Sequence, residues 1–219
     1  MKVIVTGATG MVGEGVMHIC LQNADIEEVL VLGRRSCAII HPKLKEISLP
    51  DLFNLTPITA QLVGYDACYF CLGISSLGIS ADDYYRTTYT LTMHFGEILS
   101  KLNPQMTFCY ISGAGTDSTE KGRSRWARVK GKTENDLMKL PFRQVFAMRP
   151  GFIKPIEGMT RTNPLYKYVK WIFPFGRNMY PSGFCTMEEL SNAMIIITQK
   201  GYHKKVIEGK DIIEISLNK

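Results

Sequence analysis

Three glycines at three-residue spacing follow a short apolar run at the start of the chain. The run is KVIVTG (residues 2–7), and Gly7, Gly10 and Gly13 lie in VTGATGMVG. Glycine lets the backbone turn tightly, lets a diphosphate approach, and lets the following helix pack close to the strand. The amino end of that helix offers free N–H groups and a positive dipole end to phosphate. This pattern predicts a dinucleotide-binding βαβ unit, against the alternative of a purely structural turn.

The rest of the chain alternates short β-branched or apolar runs with helix-length stretches. Six strands are predicted, at residues 2–7, 28–33, 44–49, 67–72, 106–112 and 143–150. A seventh is expected at 212–217. Helices are predicted at 11–22, 81–101, 125–139 and 187–199. Strands that are apolar on both faces are typical of parallel sheets covered by helices, so we expect an α/β fold: a Rossmann-type doubly wound parallel sheet of six to seven strands with helices on both faces.

The length of the chain predicts a single domain. Its 219 residues, of which 45% are apolar, suffice for one substantial core but are few for two. The opening MKVIVTGATG lacks the apolar run of a signal peptide or spanning helix. The most apolar later stretch, 164–175, is short and carries two lysines. We therefore expect a cytoplasmic protein with no membrane partner.

Cysteine and charge patterns narrow the classes of partner. Cys68 and Cys71 form a CxxC, but residues three apart on a strand point to opposite faces, so we expect no metal site. The net charge of +6 is concentrated in residues 121–132, which favours an anionic partner. No nucleic-acid recognition motif accompanies that charge, so a small-molecule substrate is expected and nucleic acid is not.

Several motifs in order along the chain resemble one superfamily. The first turn reads TGxxGxxG, and CLGISS (71–76), YISGAG (110–115) and MRPGFI (148–153) follow the fourth, fifth and sixth predicted strands. These motifs resemble the extended or atypical branch of the short-chain dehydrogenase/reductase superfamily, which includes sugar-nucleotide epimerases. The short length and VKGKTEN look most like its Tat-interacting-protein-like members. The resemblance covers residues 1–155 well and the rest loosely, with a substrate-capping segment expected at 154–185.

The resemblance also implies which residues meet the cofactor. The expected contacts are Gly7, Thr9, Gly10, Met11, Val12 and Gly13 at the first turn, Asp51 and Leu52 near the adenine, Cys71, Leu72 and Gly73 beside the adenosine, and Pro150, Gly151 and Phe152 after the sixth strand. A homodimer through the helices at 81–101 and 125–139 would be usual for the superfamily.

The residues after the second predicted strand indicate which dinucleotide is preferred. An NAD-binding protein normally places a carboxylate about 20 residues past the glycines, where it meets the ribose 2′-hydroxyl. This chain has LGRRS there, with Arg34, Arg35 and Ser36 and no carboxylate between residues 29 and 45. Arginine pairs with phosphate through charge-assisted hydrogen bonds. We therefore expect NADP(H) to be preferred over NAD(H), the alternative being a solvated basic turn.

The stretch SRWARVKGKTEND (124–136) lies where the superfamily carries a catalytic YxxxK pair on a helix. Residues i and i+4 share a helix face, so Trp126 and Lys130 occupy the two positions. The resemblance implies that Lys130 holds the nicotinamide ribose and that Ser112 positions substrate. An indole cannot give up its N–H proton in the physiological pH range. Trp126 therefore leaves the catalytic proton donor unassigned.

A second YxxxK occurs at Tyr166 and Lys170, after the sixth predicted strand. Its position and aromatic neighbours favour a packing element, although Tyr166, Tyr84 or Tyr85 remain alternative sources of a phenol. Two functions stay open. One is an NADP-dependent oxidoreductase or epimerase-like enzyme on a small carbonyl, hydroxyl or sugar substrate. The other is a cofactor-binding sensor or interaction protein that lost the catalytic acid with the tyrosine.

Overall fold

The structure is a computed structural model that describes residues 1–159 and 172–218. The strands of its main sheet are β1 (Lys2–Thr6), β2 (Glu28–Gly33), β3 (Leu44–Ser48), β4 (Ala67–Phe70), β5 (Thr107–Ile111), β6 (Gln144–Arg149) and β9 (Val206–Glu208), while β7 (Phe152–Lys154) and β8 (Phe184–Thr186) form a separate pair. The seven strands are parallel and lie in the order β3-β2-β1-β4-β5-β6-β9. The order reverses direction at β1, so the carboxyl ends of β1 and β4 border the crevice where doubly wound folds bind ligands.

Helices cover both faces of this sheet. They are α1 (Met11–Gln22), α2 (Ala81–Tyr85), α3 (Leu91–Leu102), α4 (Arg125–Leu137), α5 (Ile172–Met179), α6 (Met187–Lys200) and α7 (Gly209–Leu217). On one face α1, α6 and α7 pack in a core with Val3, Val5 and Phe146. On the other, α3 and the end of α4 pack against Ile4, Phe70 and Phe108. The predicted Rossmann-type α/β fold is confirmed.

Alternate residues of one strand enter the two cores, as a buried parallel strand requires. Cys68 belongs to the core that contains α3, whereas Cys71, just past the end of β4, packs against the core that contains α1. The two thiols of the CxxC therefore lie on opposite sides of the sheet. All six cysteines are free thiols.

The strand predicted at 212–217 is wrong, because this stretch forms α7. Ile212, Ile215 and Ser216 are buried at helical spacing, three and four residues apart. Glu208 and Asp211 form a reciprocal capping box at the start of the helix. The seventh strand is β9, just before α7, and it pairs with β6 from Ala147 to Arg149.

Other features were not predicted, and α5 is one of them. The helix expected at 81–101 is interrupted between α2 and α3 by a π-helical turn, Arg86–Thr90. A small parallel pair also forms between β7 and β8, at the two ends of the predicted capping segment 154–185. Phe152, Phe173 and Phe184 cluster there, with ring centroids 5.7 to 6.2 Å apart. In residues 1–159 and 172–218, no helix combines the length and apolar character that crossing a bilayer demands.

Candidate functional site

The glycine turn joins β1 to α1 with backbones in direct contact. Gly7 has a φ of +73°, and a Cβ there would lie 2.8 Å from the backbone of Cys71. A Cβ on Gly13 would lie 2.2 Å from the carbonyl oxygen of Gly7. Real side chains do not tolerate such contacts, so both positions require glycine. The turn thus holds the ends of β1 and β4 and the start of α1 tightly together.

The amino end of α1 is open to an anion. Gly10 is its N-cap residue and offers no side chain to cap the first turn. The Gly10 carbonyl accepts from the N–H of Glu14 at 2.9 Å, so the helix begins at Met11. The N–H groups of a first helical turn have no partner within the helix. Together with the helix dipole, they make this helix start suited to bind phosphate.

A cleft of about 530 Å³ opens at the carboxyl ends of β1, β2, β3 and β4. Its lining comes from the glycine turn and from the segments that follow β2, β3 and β4. Residues predicted to bind cofactor that line it are Gly7, Thr9, Gly10, Arg34, Arg35, Asp51, Leu52, Cys71, Leu72 and Gly73. Their contacts with a cofactor remain predictions. Clefts of this volume are typical of small-molecule sites.

The other residues in that prediction lie outside the cleft lining. They are Met11, Val12, Gly13, Lys130, Pro150, Gly151 and Phe152. Gly13 instead packs under the turn. Gly151 approaches the backbone of Gly183, where a Cβ would lie 2.3 Å from the carbonyl oxygen.

Arg34 and Arg35 are both exposed where they line the cleft. Ser36, which we expected beside the two arginines at a 2′-phosphate, donates a hydrogen bond of 2.8 Å to Glu46 on β3, and its contact with a phosphate stays a prediction. Glu46 also accepts from the N–H of Cys37 at 2.6 Å. The carboxylate of Glu46 therefore orders the turn after β2. Arg34 and Arg35 are the cations of this turn that line the cleft.

Helix α4 presents three residues at four-residue spacing toward the end of β5. Lys130 donates to the carbonyl oxygen of Ile111 at 3.4 Å and to that of Ser112. Its ammonium also lies 5.7 Å from the centroid of the Tyr110 ring. Burial lowers the pKa of Lys130 to about 8, and the nearby carboxylate of Glu134 acts in the opposite direction. The amine thus lies at the carboxyl edge of the sheet, partly removed from water.

Ser112 is buried immediately after β5, and its hydroxyl points into the protein. It donates to Glu134 at 2.5 Å and to the carbonyl oxygen of Met148 at 3.2 Å. Glu134 is 1% exposed and forms a bidentate ion pair with Arg149. The hydroxyl proton of Ser112 is therefore engaged with a buried carboxylate, and its role toward substrate stays a prediction.

Trp126 lies against the loop that follows β5. A Cβ on Gly115 would be 3.5 Å from Cη2 of the indole, so the ring packs on the backbone of this glycine. The indole and Lys130 both face the carboxyl end of β5 from α4, as their spacing predicted. Trp126 is half-buried and does not line the cleft described above.

The alternative phenols differ in accessibility. Tyr84 is buried, and that burial raises the pKa of its phenol. Tyr85 is 38% exposed and packs against Tyr89 in a tilted arrangement, with ring centroids 4.8 Å apart. The pair Tyr166 and Lys170 lies outside the described residues.

Sequence reasoning missed two groups of site residues. The first group lines the cleft from the segment after β3 and from the helical segment that runs from α2 to the start of α3. It comprises Phe53, Asp83, Arg86, Thr87 and Leu91. No sequence motif identified these residues, because only the fold brings the two segments to the cleft. The second is the buried pair Glu134 and Arg149. Glu134 follows Lys130 by four residues on a helix, a spacing that could have identified it as a member of the same face.

The chain matches the family model described as the NAD dependent epimerase/dehydratase family over residues 3–124. The match begins in β1 and extends to the N-cap of α4, so it includes the whole cleft. It covers more than half of the chain.

Relatives with curated names are more distant. The chain is 23% identical over 155 residues to "Protein FMP52, mitochondrial" of Kluyveromyces lactis, covering 69% of this chain and 66% of the relative. It is 24% identical to the protein of the same name from Candida albicans, with the same two coverages. The chain thus spans slightly less than two thirds of these relatives' lengths.

The expected cytoplasmic location is wrong, because these relatives are named as mitochondrial proteins. Our expectation rested on the lack of a signal peptide or spanning helix. Mitochondrial targeting uses neither, because its signals are amphipathic and basic instead of uniformly apolar. The lack of an apolar run therefore could not exclude the location that the relatives' names state.

Solved structures share the fold at low sequence identity. WbmG of Bordetella bronchiseptica, in complex with NAD, superposes with a TM-score of 0.71 at 13% identity, covering 100% of this chain and 77% of that one. A short chain dehydrogenase family protein of Francisella tularensis gives 0.62 at 18%, covering 91% of each chain. UDP-glucuronic acid 4-epimerase of Bacillus cereus, in complex with NAD, gives 0.68 at 16%, covering 100% and 83%.

Proposed function

Because this chain belongs to the NAD dependent epimerase/dehydratase family, we propose that it is an NADP(H)-dependent enzyme. The proposed reaction is oxidoreduction or epimerisation of a small carbonyl, hydroxyl or sugar substrate. When bound, the nicotinamide supplies hydride transfer, which no side chain of the protein can perform. The protein supplies binding, orientation and proton handling.

The cleft fits a dinucleotide on two observations. Its glycine turn brings backbone to the cleft with no space for a Cβ at Gly7. The first turn of α1 has no side-chain cap, so its N–H groups can bind a diphosphate. Gly7, Gly10 and Thr9 would hold the diphosphate, and Asp51 and Leu52 would lie near the adenine.

Arg34 and Arg35 support a preference for NADP(H). Both are exposed, and both line the cleft at the end of β2, where the 2′ position of the adenosine ribose is expected. The nearest carboxylate on β3, that of Glu46, already accepts two hydrogen bonds from the turn. The guanidinium groups are therefore left to pair with a 2′-phosphate.

Lys130 is proposed to orient the ribose on the nicotinamide side. An ammonium group has three donors, and two of those of Lys130 are directed to the carbonyl oxygens of Ile111 and Ser112. These bonds position the amine and leave one donor for a ribose hydroxyl. Trp126, one helical turn earlier, would shape the substrate side of the site, with the proton coming from another tyrosine or from water.

The observation that carries the proposal is the cleft that combines an uncapped helix start with two arginines at the end of β2. Its test is binding and turnover measured together. NADPH binding is measured by calorimetry. NADPH oxidation is followed with a panel of aldehydes and ketones, and NADP+ reduction with the corresponding alcohols. Epimerisation is followed by NMR with sugar substrates, because it gives no net change in cofactor.

We expect NADPH binding and measurable turnover with at least one substrate class. Arg34→Ala/Arg35→Ala is the matched variant, since it should weaken NADPH binding while the protein stays folded. NADPH binding without turnover across all three substrate classes would contradict the enzyme and support a sensor or interaction protein. Absence of dinucleotide binding would contradict the proposal as a whole.

A further inference from the structure

Arg86 and Phe53 are in contact in the lining of the cleft. The guanidinium carbon of Arg86 lies 4.9 Å from the centroid of the Phe53 ring, a cation–π contact. Both residues line the cleft. Arg86 is exposed, whereas Phe53 is half-buried against the core that contains α3. We refer to this pair as the Arg86–Phe53 clasp.

The clasp connects distant parts of the sheet. Phe53 follows β3, and Arg86 follows β4, whereas the order β3-β2-β1-β4 places two strands between them. Phe53 also lies near His94 of α3, with ring centroids 6.1 Å apart, so the contact is on the side of the sheet that α3 covers. Gly33 and Gly7, at the carboxyl ends of β2 and β1, line the same cleft, so a ligand along these ends would lie beside the clasp.

The π-helical turn fixes Arg86 on the cleft side of its helix. The N–H of Leu91 donates to the carbonyl oxygen of Arg86, an i to i+5 bond. Arg86 and Leu91 consequently both line the cleft, although an ordinary α-helix would turn residues five apart to different directions. Such turns are frequent at functional sites.

The guanidinium of Arg86 keeps its donors available. Across residues 1–159 and 172–218, no carboxylate lies within salt-bridge distance of it. Asp83, one turn earlier and also in the cleft wall, accepts a hydrogen bond of 2.7 Å from Ser80. Arg86 is thus held by the face of a ring and not by a counter-ion, which leaves its plane free to move onto another π-system.

We propose that Arg86 recognises the adenine ring of the cofactor, its guanidinium plane lying on the base while Phe53 forms the side of the adenine pocket. This inference rests on the proposed function, which puts a dinucleotide in the cleft with its adenine near Asp51 and Leu52. Those two residues directly precede Phe53 and line the same wall. A planar guanidinium stacks on aromatic faces, and an ammonium does not. Since adenine is uncharged and common to both cofactors, Arg86 binds NADPH and NADH alike.

The test is calorimetric binding of NADPH, NADH and ADP to the unmodified chain and to four variants. Arg86→Met should weaken all three ligands by a similar factor, roughly fivefold to twentyfold. Arg86→Lys keeps the charge but lacks the plane, so it should recover little of that affinity. Phe53→Leu should give a smaller loss shared by the three ligands. Arg143→Met is the control, because this exposed arginine precedes β6. It therefore lies at the amino ends of the strands, whereas the cleft lies at their carboxyl ends.

Three results would overturn the assignment. The first is unchanged affinity in Arg86→Met, and the second is full recovery of binding in Arg86→Lys. The third is a loss confined to NADPH, which would place Arg86 on the 2′-phosphate. Thermal unfolding checks that each variant is folded. If the unmodified chain binds dinucleotide without turnover, the proposed enzyme fails while the clasp is still tested. If it binds neither dinucleotide nor ADP, both proposals fail.

Discussion

The hydroxyl of Ser112 donates a hydrogen bond to the carboxylate of Glu134, which joins the end of β5 to the last turn of α4. Both side chains are buried, and Glu134 also holds Arg149 at the end of β6. Lys130, one turn before Glu134, binds the backbone carbonyl oxygen of the same serine. Ser112 therefore contacts both the buried ion pair and Lys130. Substitutions in the ion pair should shift the side chain of Lys130 as well.

Removing Glu134 should destabilise the protein strongly. Glu134→Ala leaves the guanidinium of Arg149 buried, and among the described residues the half-exposed Glu208 is then its one acid partner. Breaking a buried pair on one side costs about 3 to 5 kcal/mol. Ser112→Ala should cost less, about 1.5 to 3 kcal/mol, because its hydroxyl bonds to the charged Glu134 and to the carbonyl oxygen of Met148. Urea unfolding measures both, and Glu27→Ala, an exposed acid, should leave stability nearly unchanged. Equal losses of unfolding free energy in Glu134→Ala and Glu27→Ala would contradict a stabilising role for the buried Glu134–Arg149 pair.

The cofactor preference should depend on Arg34 and Arg35. NADPH is expected to bind more tightly than NADH by roughly 1 to 3 kcal/mol, the value of a charge-assisted phosphate contact. Arg34→Ala/Arg35→Ala should remove most of this difference while NADH affinity changes little. Calorimetry of both cofactors measures the difference, with Arg143→Ala as a control for net charge. Equal affinity of the unmodified protein for both cofactors would refute the prediction.

Restoring a tyrosine on α4 should raise turnover. Trp126→Tyr places a phenol four residues before Lys130 on the same face, with NADPH affinity expected to stay about the same. General acid catalysis typically contributes a factor of order 10² to 10⁴ in rate. The measurement is carbonyl reduction by NADPH, with Trp126→Phe as the variant that opens the same space without a proton donor. A slower Trp126→Tyr enzyme would mean that the proton comes from elsewhere and that the indole shapes the substrate pocket.

The buried amine of Lys130 should make stability depend on pH. Its folded-state pKa of about 8 is below the unfolded value of about 10.4, so unfolding takes up a proton between these pH values. Stability should therefore rise with pH from about 8 to 10 relative to Lys130→Met, which lacks this group. Urea unfolding of both proteins at several pH values gives the difference. A difference that is constant with pH would show that the amine titrates normally.

The same amine should set an upper pH limit on function. If its ammonium orients the ribose, NADPH affinity should fall as pH rises through about 8. Lys130→Arg keeps the charge at high pH and should therefore extend binding toward alkaline pH. Binding is measured from pH 6.5 to 9.5 for both proteins. An unmodified protein whose affinity does not change over this range would contradict the assigned role.

Local patterns in the sequence determined most of the fold and the glycine turn of the candidate site. The glycine spacing after KVIVTG predicted the turn because the need for glycine at Gly7 and Gly13 arises within a few residues. The alternation of apolar runs predicted the parallel sheet, since strand and helix periods are themselves local. The four-residue spacing of Trp126 and Lys130 likewise placed both on one helix face toward β5.

Tertiary structure decided the features that join residues far apart in the chain. The run at 212–217 satisfies both strand and helix patterns, and its packing beside α6 made it a helix while β9 paired with β6. The inward hydroxyl of Ser112 depends on Glu134, and the position of Arg86 depends on Phe53. These outcomes follow from burial and pairing between segments that only the folded sheet brings together, so no local window of sequence contains them.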